Sequence, residues 1–185
     1  NKLEIEKPKA VYHKESTSQK LYLETYGCQM NVADSEIVVS LLNQIGYHLV
    51  ENYKEADLIL VNTCSIRENA EKKVWGRLKS ISHLKKKRNN LIIGLIGCMA
   101  ERLKEEAIEA DRLIDIVAGP DSYRKLPSMI AEASGGHRSV NVLLSLEETY
   151  SDIRPVRTGP DGVTAFISIM TTTTPSTHMV TVITP

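Results

Sequence analysis

The sequence predicts an α/β protein built as an open parallel sheet with flanking helices. Three observations carry this. Short β-type runs alternate with amphipathic helical stretches four times over. Two runs, Leu58-Ile59-Leu60-Val61 and Leu91-Ile92-Ile93-Gly94-Leu95-Ile96, are continuously apolar, as strands covered on both faces are. Glycine punctuates the unit ends at Gly27, Gly46, Gly97 and Gly119. Strand, helix and next parallel strand cross over right-handedly, so repetition of the unit builds one sheet.

Residues 1–19 are rich in Lys, Glu, Ser and Thr without a period and read as a loose extension. Leu21 to Tyr26 is the first strand, closed by Gly27. Asp34 or Ser35 caps a helix whose apolar positions Ile37, Val38, Leu41, Leu42 and Ile45 follow a 3.6 spacing to Gly46. The run at Leu58 is the second strand, and a helix with alternating outer charge spans about Arg67 to Leu84. The third strand ends at Gly97 and a helix covers about Ala100 to Ala110. Leu113 to Val117 is the fourth strand, closed by Gly119-Pro120, with a helix from about Ser122 to Ala133. Val140 to Leu144 adds a last strand. The α/β domain thus spans 20–145. Residues 146–163, with Pro155, Gly159, Pro160 and Gly162, read as a linker, and Thr164 to Met170 as a strand that opens a second unit over 164–185. From Thr171 the composition changes to a threonine-rich, β-prone tail with no turn grammar.

The chain has 185 residues, 23 basic and 23 acidic side chains, and 42% hydrophobic residues. That is globular composition with enough apolar material for a core. A net charge of zero excludes a global positive field that recruits nucleic acid or an anionic membrane. No apolar run reaches the roughly 18 to 20 residues that span a bilayer, and the polar start holds no secretory signal. Three cysteines make a poor disulfide framework and suit a reducing cytoplasm.

The cysteines are placed, not scattered. Cys28, Cys64 and Cys98 each follow the end of a strand, 36 and 34 residues apart, about one strand-helix unit each. In an open parallel sheet the carboxyl ends of the strands share one edge, where ligands bind. The fold therefore gathers three thiols on one rim. Any one of them alone reads as a small packed hydrophobe; three at equivalent positions read as a shared site. Structural zinc takes four ligands, often in close pairs, and neither His48 nor His83 follows a strand end. An iron-sulfur cluster takes Cys ligands, and three leave one iron open to an outside ligand. A nucleophilic cysteine is the third option, with no His or Asn visibly placed to serve it.

Gly27-Cys28-Gln29-Met30-Asn31, with Asp34-Ser35-Glu36 just after, resembles the opening signature of the radical-SAM methylthiotransferases. Asn62-Thr63-Cys64-Ser65-Ile66-Arg67-Glu68-Asn69-Ala70 resembles their second signature, and Ile93-Gly94-Leu95-Ile96-Gly97-Cys98-Met99-Ala100 their third. Gly119-Pro120 also matches, and the resemblance covers about Lys20 to Met170. The residues around Cys28 and Cys64 are similar to the tRNA-modifying, MiaB-type branch. A methylthiotransferase acting on a ribosomal protein, and a flavodoxin-like binding module with packed cysteines, are the alternatives.

The resemblance implies an auxiliary 4Fe-4S cluster held by Cys28, Cys64 and Cys98. It implies that Gln29, Asn31, Asn62, Thr63 and Ser65 bond cluster sulfides or shape the open iron site. Turn and capping chemistry is the competing reading of these five, above all for Asn31 and Ser65. It further implies a partial barrel with a second 4Fe-4S cluster that cleaves S-adenosylmethionine. The implied reaction puts a methylthio group on C2 of an isopentenylated adenosine next to the anticodon. The implied partners are the tRNA anticodon stem-loop, S-adenosylmethionine and an electron donor, with no membrane. One departure stands out. After Ala165 to Met170 the family carries Cys-x-x-x-Cys-x-x-Cys, where this chain has Thr173, Thr177 and Val180. None of these ligates iron, so the sequence as written holds no catalytic cysteine set for the radical step.

Lys85-Lys86-Lys87-Arg88 is a basic run that reads first as a solvated helix end and second as a phosphate contact.

Overall fold

The computed structural model describes residues 18–64, 68–110, 113–142, 150, 152–156, 164–168 and 179–183. Most of the expected N-terminal extension, Ser65, the reach of the last expected strand beyond residue 142, and the tail from Thr171 to His178 lie outside these residues.

The elements run in the order β1 (Gln19–Tyr26), α1 (Gln29–Asn43), β2 (Tyr47–Leu49), β3 (Leu58–Thr63), α2 (Glu68–Lys87), β4 (Ile92–Ile96), α3 (Cys98–Leu103), α4 (Glu105–Ala110), β5 (Ile116–Ala118), a 3-10 segment (Pro120–Lys125), α5 (Leu126–Ser134) and β6 (Ser139–Asn141). Six strands form one parallel sheet in the order β2-β1-β3-β4-β5-β6. A separate antiparallel pair follows, β7 (Thr164–Ser168) with β8 (Met179–Ile183), and β7 runs beside α1. Val180 pairs with Ile167 in that ladder.

Strand alternation sorts the core into two layers. Leu58, Leu60, Ile92, Ile96, Ile116 and Ala118 face α1 and α5, packing on Val38, Leu42, Tyr123, Leu126 and Met129. Their neighbours Ile59, Val61, Ile93, Leu95 and Val117 face α2, α3 and α4, packing on Val74, Leu78, Ile81, Met99 and Ala107. β3 and β4 are buried along their whole length, which is why they carry no polar alternation. Each such Leu or Ile contributes roughly 1.5–3 kcal/mol of transfer free energy.

The structure corrects several element boundaries. α1 begins at Gln29, with Cys28 at its cap, five residues before the expected Asp34. It ends at Asn43, so Ile45 is not on its buried face but 45% exposed. β2 is an edge strand too short for periodicity to reveal; among the described residues it pairs with β1 alone. The helix expected over 100–110 is two helices, broken at Lys104, whose φ is 50°. β5 starts at Ile116; Asp115 just before it donates its N–H to the Ile93 carbonyl at 2.8 Å and turns its carboxylate onto the Ile93 N–H at 2.9 Å and onto Lys85.

Inside the stretch read as a linker, Ile153 and Tyr150 pack against the α1 layer, while residues 152 and 154–156 are exposed. Ser40 donates to the Arg154 carbonyl at 2.8 Å and Ile153 is buried in the α1 layer. This second cover explains why α1 is buried nearly all round, Val39 and Glu36 included. Among the described residues no helix is long and apolar enough to cross a membrane.

The basic run sits at the amino-terminal edge of the sheet, away from the cysteine rim. Lys85 binds Asp115 and the Leu113 carbonyl. Arg88 binds Asp57 at 2.8 Å and the Ala56 carbonyl at 2.8 Å. Two of its four cations therefore tie strand starts together.

Candidate metal centre at the switch point

The chain leaves β1 towards β2 on one side and returns to β3 on the other. The crevice above the β1–β3 boundary is the point where strand order reverses. Cys28 and Cys64 follow the two strands that flank it, and Cys98 follows β4 next to them. The sheet thus delivers the three cysteines to one edge. All three are free; Cys28 is exposed, Cys64 buried and Cys98 half-buried.

The connecting loops touch. A Cβ on Gly27 would lie 2.6 Å from the Cys64 Cβ and 2.7 Å from Asn31 Oδ1. A Cβ on Gly97 would lie 2.3 Å from Asn62 Oδ1 and 2.8 Å from the Thr63 carbonyl oxygen. Both glycines also have positive φ, 138° and 92°. Glycine before Cys28 and before Cys98 lets each loop close onto the end of β3.

Asn31 and Asn62 brace this junction, and both are buried. The Cys28 backbone N–H and its Sγ–H both donate to Asn31 Oδ1 at 3.3 Å. Asn31 Nδ2 donates to Asn62 Oδ1 at 3.0 Å. Asn62 Nδ2 donates to the Asn31 carbonyl at 2.8 Å and to Ser35 Oγ at 2.9 Å. Ser35 directs its one proton to the Asn31 carbonyl at 2.8 Å, so Thr25 is the donor in the 2.7 Å Thr25–Ser35 bond. The expected flanking residues thus divide. Asn31, Asn62 and Thr63 lie buried at the junction, and Thr63 Oγ1 reaches the Cys64 carbonyl at 3.5 Å. Gln29 is exposed in the first turn of α1, and Ser65 lies outside the described residues.

The other two thiols both act on Cys98. Burial pushes the Cys98 thiol up to about 12, assisted by negative charge on Asp34, Cys64, Glu101 and Cys28, in that order. Three thiolates here repel one another unless a cation sits among them. Among the described residues no three His, Cys, Asp or Glu side chains converge tightly enough for a single metal ion. A polynuclear cluster takes each thiolate on a different iron, so it tolerates wider separation.

Two groups near Cys98 escape a reading of the sequence. Asp34 is buried, and the Tyr123 hydroxyl donates to its Oδ2 at 3.3 Å. Burial pushes the Asp34 carboxyl up to about 7, with Tyr123 working against the rise and Asp121 adding to it. Tyr123, fully buried, is pushed up by burial and by Asp34 and Cys98. The available signal was position: Asp34 falls on the helical stripe that continues through Val38, Leu41 and Leu42.

Comparison with known proteins fits this geometry. The model of the uncharacterized protein family UPF0004 matches residues 20–119. The chain is 52% identical over 153 residues to a tRNA-2-methylthio-N(6)-dimethylallyladenosine synthase of Amoebophilus asiaticus, covering 83% of this chain and 32% of that protein. It is 54% identical over 155 residues to the enzyme of that name from Porphyromonas gingivalis, covering 82% and 33%. It is 53% identical over 156 residues to human mitochondrial tRNA methylthiotransferase CDK5RAP1, covering 82% and 26%. The chain spans a third or less of the length of these relatives. With the family match running from the first strand of the sheet through all three cysteine loops to Gly119, the chain belongs to the UPF0004 family, in the company of the MiaB-type tRNA methylthiotransferases.

Proposed function

We propose that this chain is the cluster-holding portion of a tRNA methylthiotransferase. Cys28, Cys64 and Cys98 are its thiolate ligands to a 4Fe-4S cluster. The observation that supports the reading is the placement of three free cysteines just after three adjacent strands, on one edge of the sheet beside its switch point. A cluster held by three thiolates offers one iron to an outside sulfur ligand. The chain's own residues supply the frame. Gly27 and Gly97 permit the close approach of the loops, and Asn31 and Asn62 hold the Cys28 loop against β3. Burial of Cys64 and half-burial of Cys98 keep water from two of the three ligands.

The names of the relatives support a tRNA substrate and a 2-methylthio product. In this reading the substrate is an isopentenylated adenosine beside the anticodon. S-adenosylmethionine, a second cluster and an electron donor complete the reaction in this reading. The proposed division is 20–145 for the α/β domain, 146–163 for the joining segment and 164–185 for the opening of the next domain. The proposed compartment is the reducing cytoplasm.

The test is iron and acid-labile sulfide per chain after anaerobic reconstitution, with Cys28→Ala, Cys64→Ala and Cys98→Ala beside the parent. About four irons in the parent, with loss in each variant, is the expected result. A colourless, iron-free parent overturns it and returns the cysteines to packing.

A further inference from the structure

We propose that the outer face of α2 is a docking surface for the phosphate backbone of RNA, leading from the opposite edge of the sheet towards the cysteine rim. The inference rests on the tRNA substrate proposed above and names a surface that meets it.

Val74, Leu78 and Ile81 form the buried stripe of α2. At 3.6 residues per turn, Lys72, Lys73, Gly76, His83, Lys86 and Lys87 fall on the side opposite that stripe, and all six are exposed. From Lys72 to Lys87 the helix holds no acidic residue. Its cations nearer the sheet are already met, Arg77 by Glu24 at 2.8 Å and Lys85 by Asp115. Among the described residues Lys72, Lys73, Lys86 and Lys87 enter no ion pair. In a chain of zero net charge this is a local concentration of positive charge. The helix dipole accounts for lysines in the last turn, but not for Lys72 and Lys73 in the second.

Gly76 adds an independent observation. A glycine in mid-helix weakens the helix relative to alanine. Packing does not require it here, because nothing lies within 4 Å of a Cβ built at Gly76. What the glycine leaves is bare helix backbone on the basic face, one turn after Lys72 and Lys73 and one turn before the exposed Lys79 and Ser80. Such a position admits close approach of a ligand, with cations in reach on both sides.

The fold aims this face. β3 ends at the rim just ahead of Cys64, α2 begins at Glu68, and its last turn lies at the amino-terminal edge beside Asp115. Lys72 and Lys86 stand about 21 Å apart along the axis, a run of several phosphates. A membrane-binding helix carries large apolar residues beside its lysines. The exposed positions between Lys72 and Lys87 carry none, so the face suits a solvated polyanion.

The experiment reconstitutes the 185-residue chain anaerobically, counts its iron, and measures binding of a synthetic anticodon stem-loop RNA across a salt series. Lys72→Ala/Lys86→Ala is compared with Lys125→Ala/Arg154→Ala, two exposed cations on the opposite layer of the sheet. The first pair is expected to lower the slope of log affinity against log salt by about 2, since each phosphate contact contributes roughly 0.9. The second pair is expected to leave the slope as in the parent. Gly76→Leu adds bulk without charge and is expected to weaken binding severalfold while the helix content is kept. Equal slopes in the two paired variants overturn the inference, as does a parent that binds anionic phospholipid vesicles and not the stem-loop. A parent that takes up iron but shows no salt-dependent RNA binding sinks the inference alone. A parent without iron overturns the cluster reading, and the slopes still decide the RNA face.

Discussion

Asn31 and Asn62 exchange two hydrogen bonds across the switch point of the sheet. Asn31 Nδ2 donates to Asn62 Oδ1 at 3.0 Å, and Asn62 Nδ2 donates back to the Asn31 carbonyl at 2.8 Å. One residue belongs to the first turn of α1, behind Cys28, and the other to the end of β3, ahead of Cys64. The pair therefore fixes the distance between two cysteine loops. Both are buried, so neither amide can trade its partner for water.

Asn62→Ala should cost about 3 kcal/mol of stability. It strands the Asn31 amide and takes a donor from Ser35 in a buried setting, where each unmet group costs roughly 1–3 kcal/mol. Urea denaturation of parent and variant measures this. A loss below about 1 kcal/mol would show that the pair does not brace the junction.

Gly97→Ala and Gly46→Ala form a matched test of the close approach. Both glycines have φ of 92°, so both variants place an L side chain in a positive-φ backbone. Nothing lies within 4 Å of a Cβ at Gly46, whereas at Gly97 it would sit 2.3 Å from Asn62 Oδ1. Gly97→Ala is expected to be the more destabilising by about 2 kcal/mol, the usual scale of forced overpacking. Equal losses in thermal unfolding would mean that strain alone makes glycine necessary there.

Alkylation should distinguish the three thiols. Cys28 is exposed, Cys64 is buried, and Cys98 is raised to about 12 by burial and neighbouring charge. The thiolate is the reacting form. With iodoacetamide at about pH 8, Cys28 is expected to be labelled first and Cys98 to stay largely unlabelled in the folded, iron-free chain. Peptide mass spectrometry over a time course reads the order, and fast labelling of Cys98 would contradict the burial of this rim.

The Asp34 carboxyl predicts a slope of stability against pH. In the folded chain it holds its proton up to about 7, whereas the unfolded chain releases it near 3.8. Between those values the folded state binds more protons, so stability falls as pH rises from about 4 to about 7. Glu101, raised by burial and by Asp121, adds a contribution of the same sign. Asp152, fully exposed and held low by Arg124, acts only below its ordinary value and lies outside this window. Asp34→Asn should flatten the slope in denaturation series across the window; an unchanged slope would place the buried proton elsewhere.

Within the basic run, Lys85→Ala should cost about 2 kcal/mol, because it leaves a mostly buried Asp115 without its cation. Lys86→Ala, on the exposed side of the same helix, should stay within about 0.5 kcal/mol. Equal effects in a denaturation experiment would remove the assignment of Lys85 to the sheet edge.

The alternation of apolar runs and 3.6-spaced stripes was enough to determine a parallel α/β sheet and to put three cysteines on its carboxyl edge. The reason is that a strand covered on both faces, such as Leu58 to Val61, must be continuously apolar, and its chain direction then fixes where the next residue emerges. The family signatures around Cys28, Cys64 and Cys98 were likewise written in consecutive residues. Tertiary structure alone decided the rest. The three-residue β2 is held by pairing with β1 and by Tyr47 packed in the α1 layer, and it is too short to leave a local pattern. The seat of Ile153 and Arg154 on α1 depends on partners distant in the chain. The same holds for the pairing of Asn31 with Asn62, 31 residues apart, and of Asp34 with Tyr123, 89 apart. Local periodicity reports which face of an element is buried. It cannot report which polar group on that face meets a partner, because that partner arrives only when the sheet closes its order.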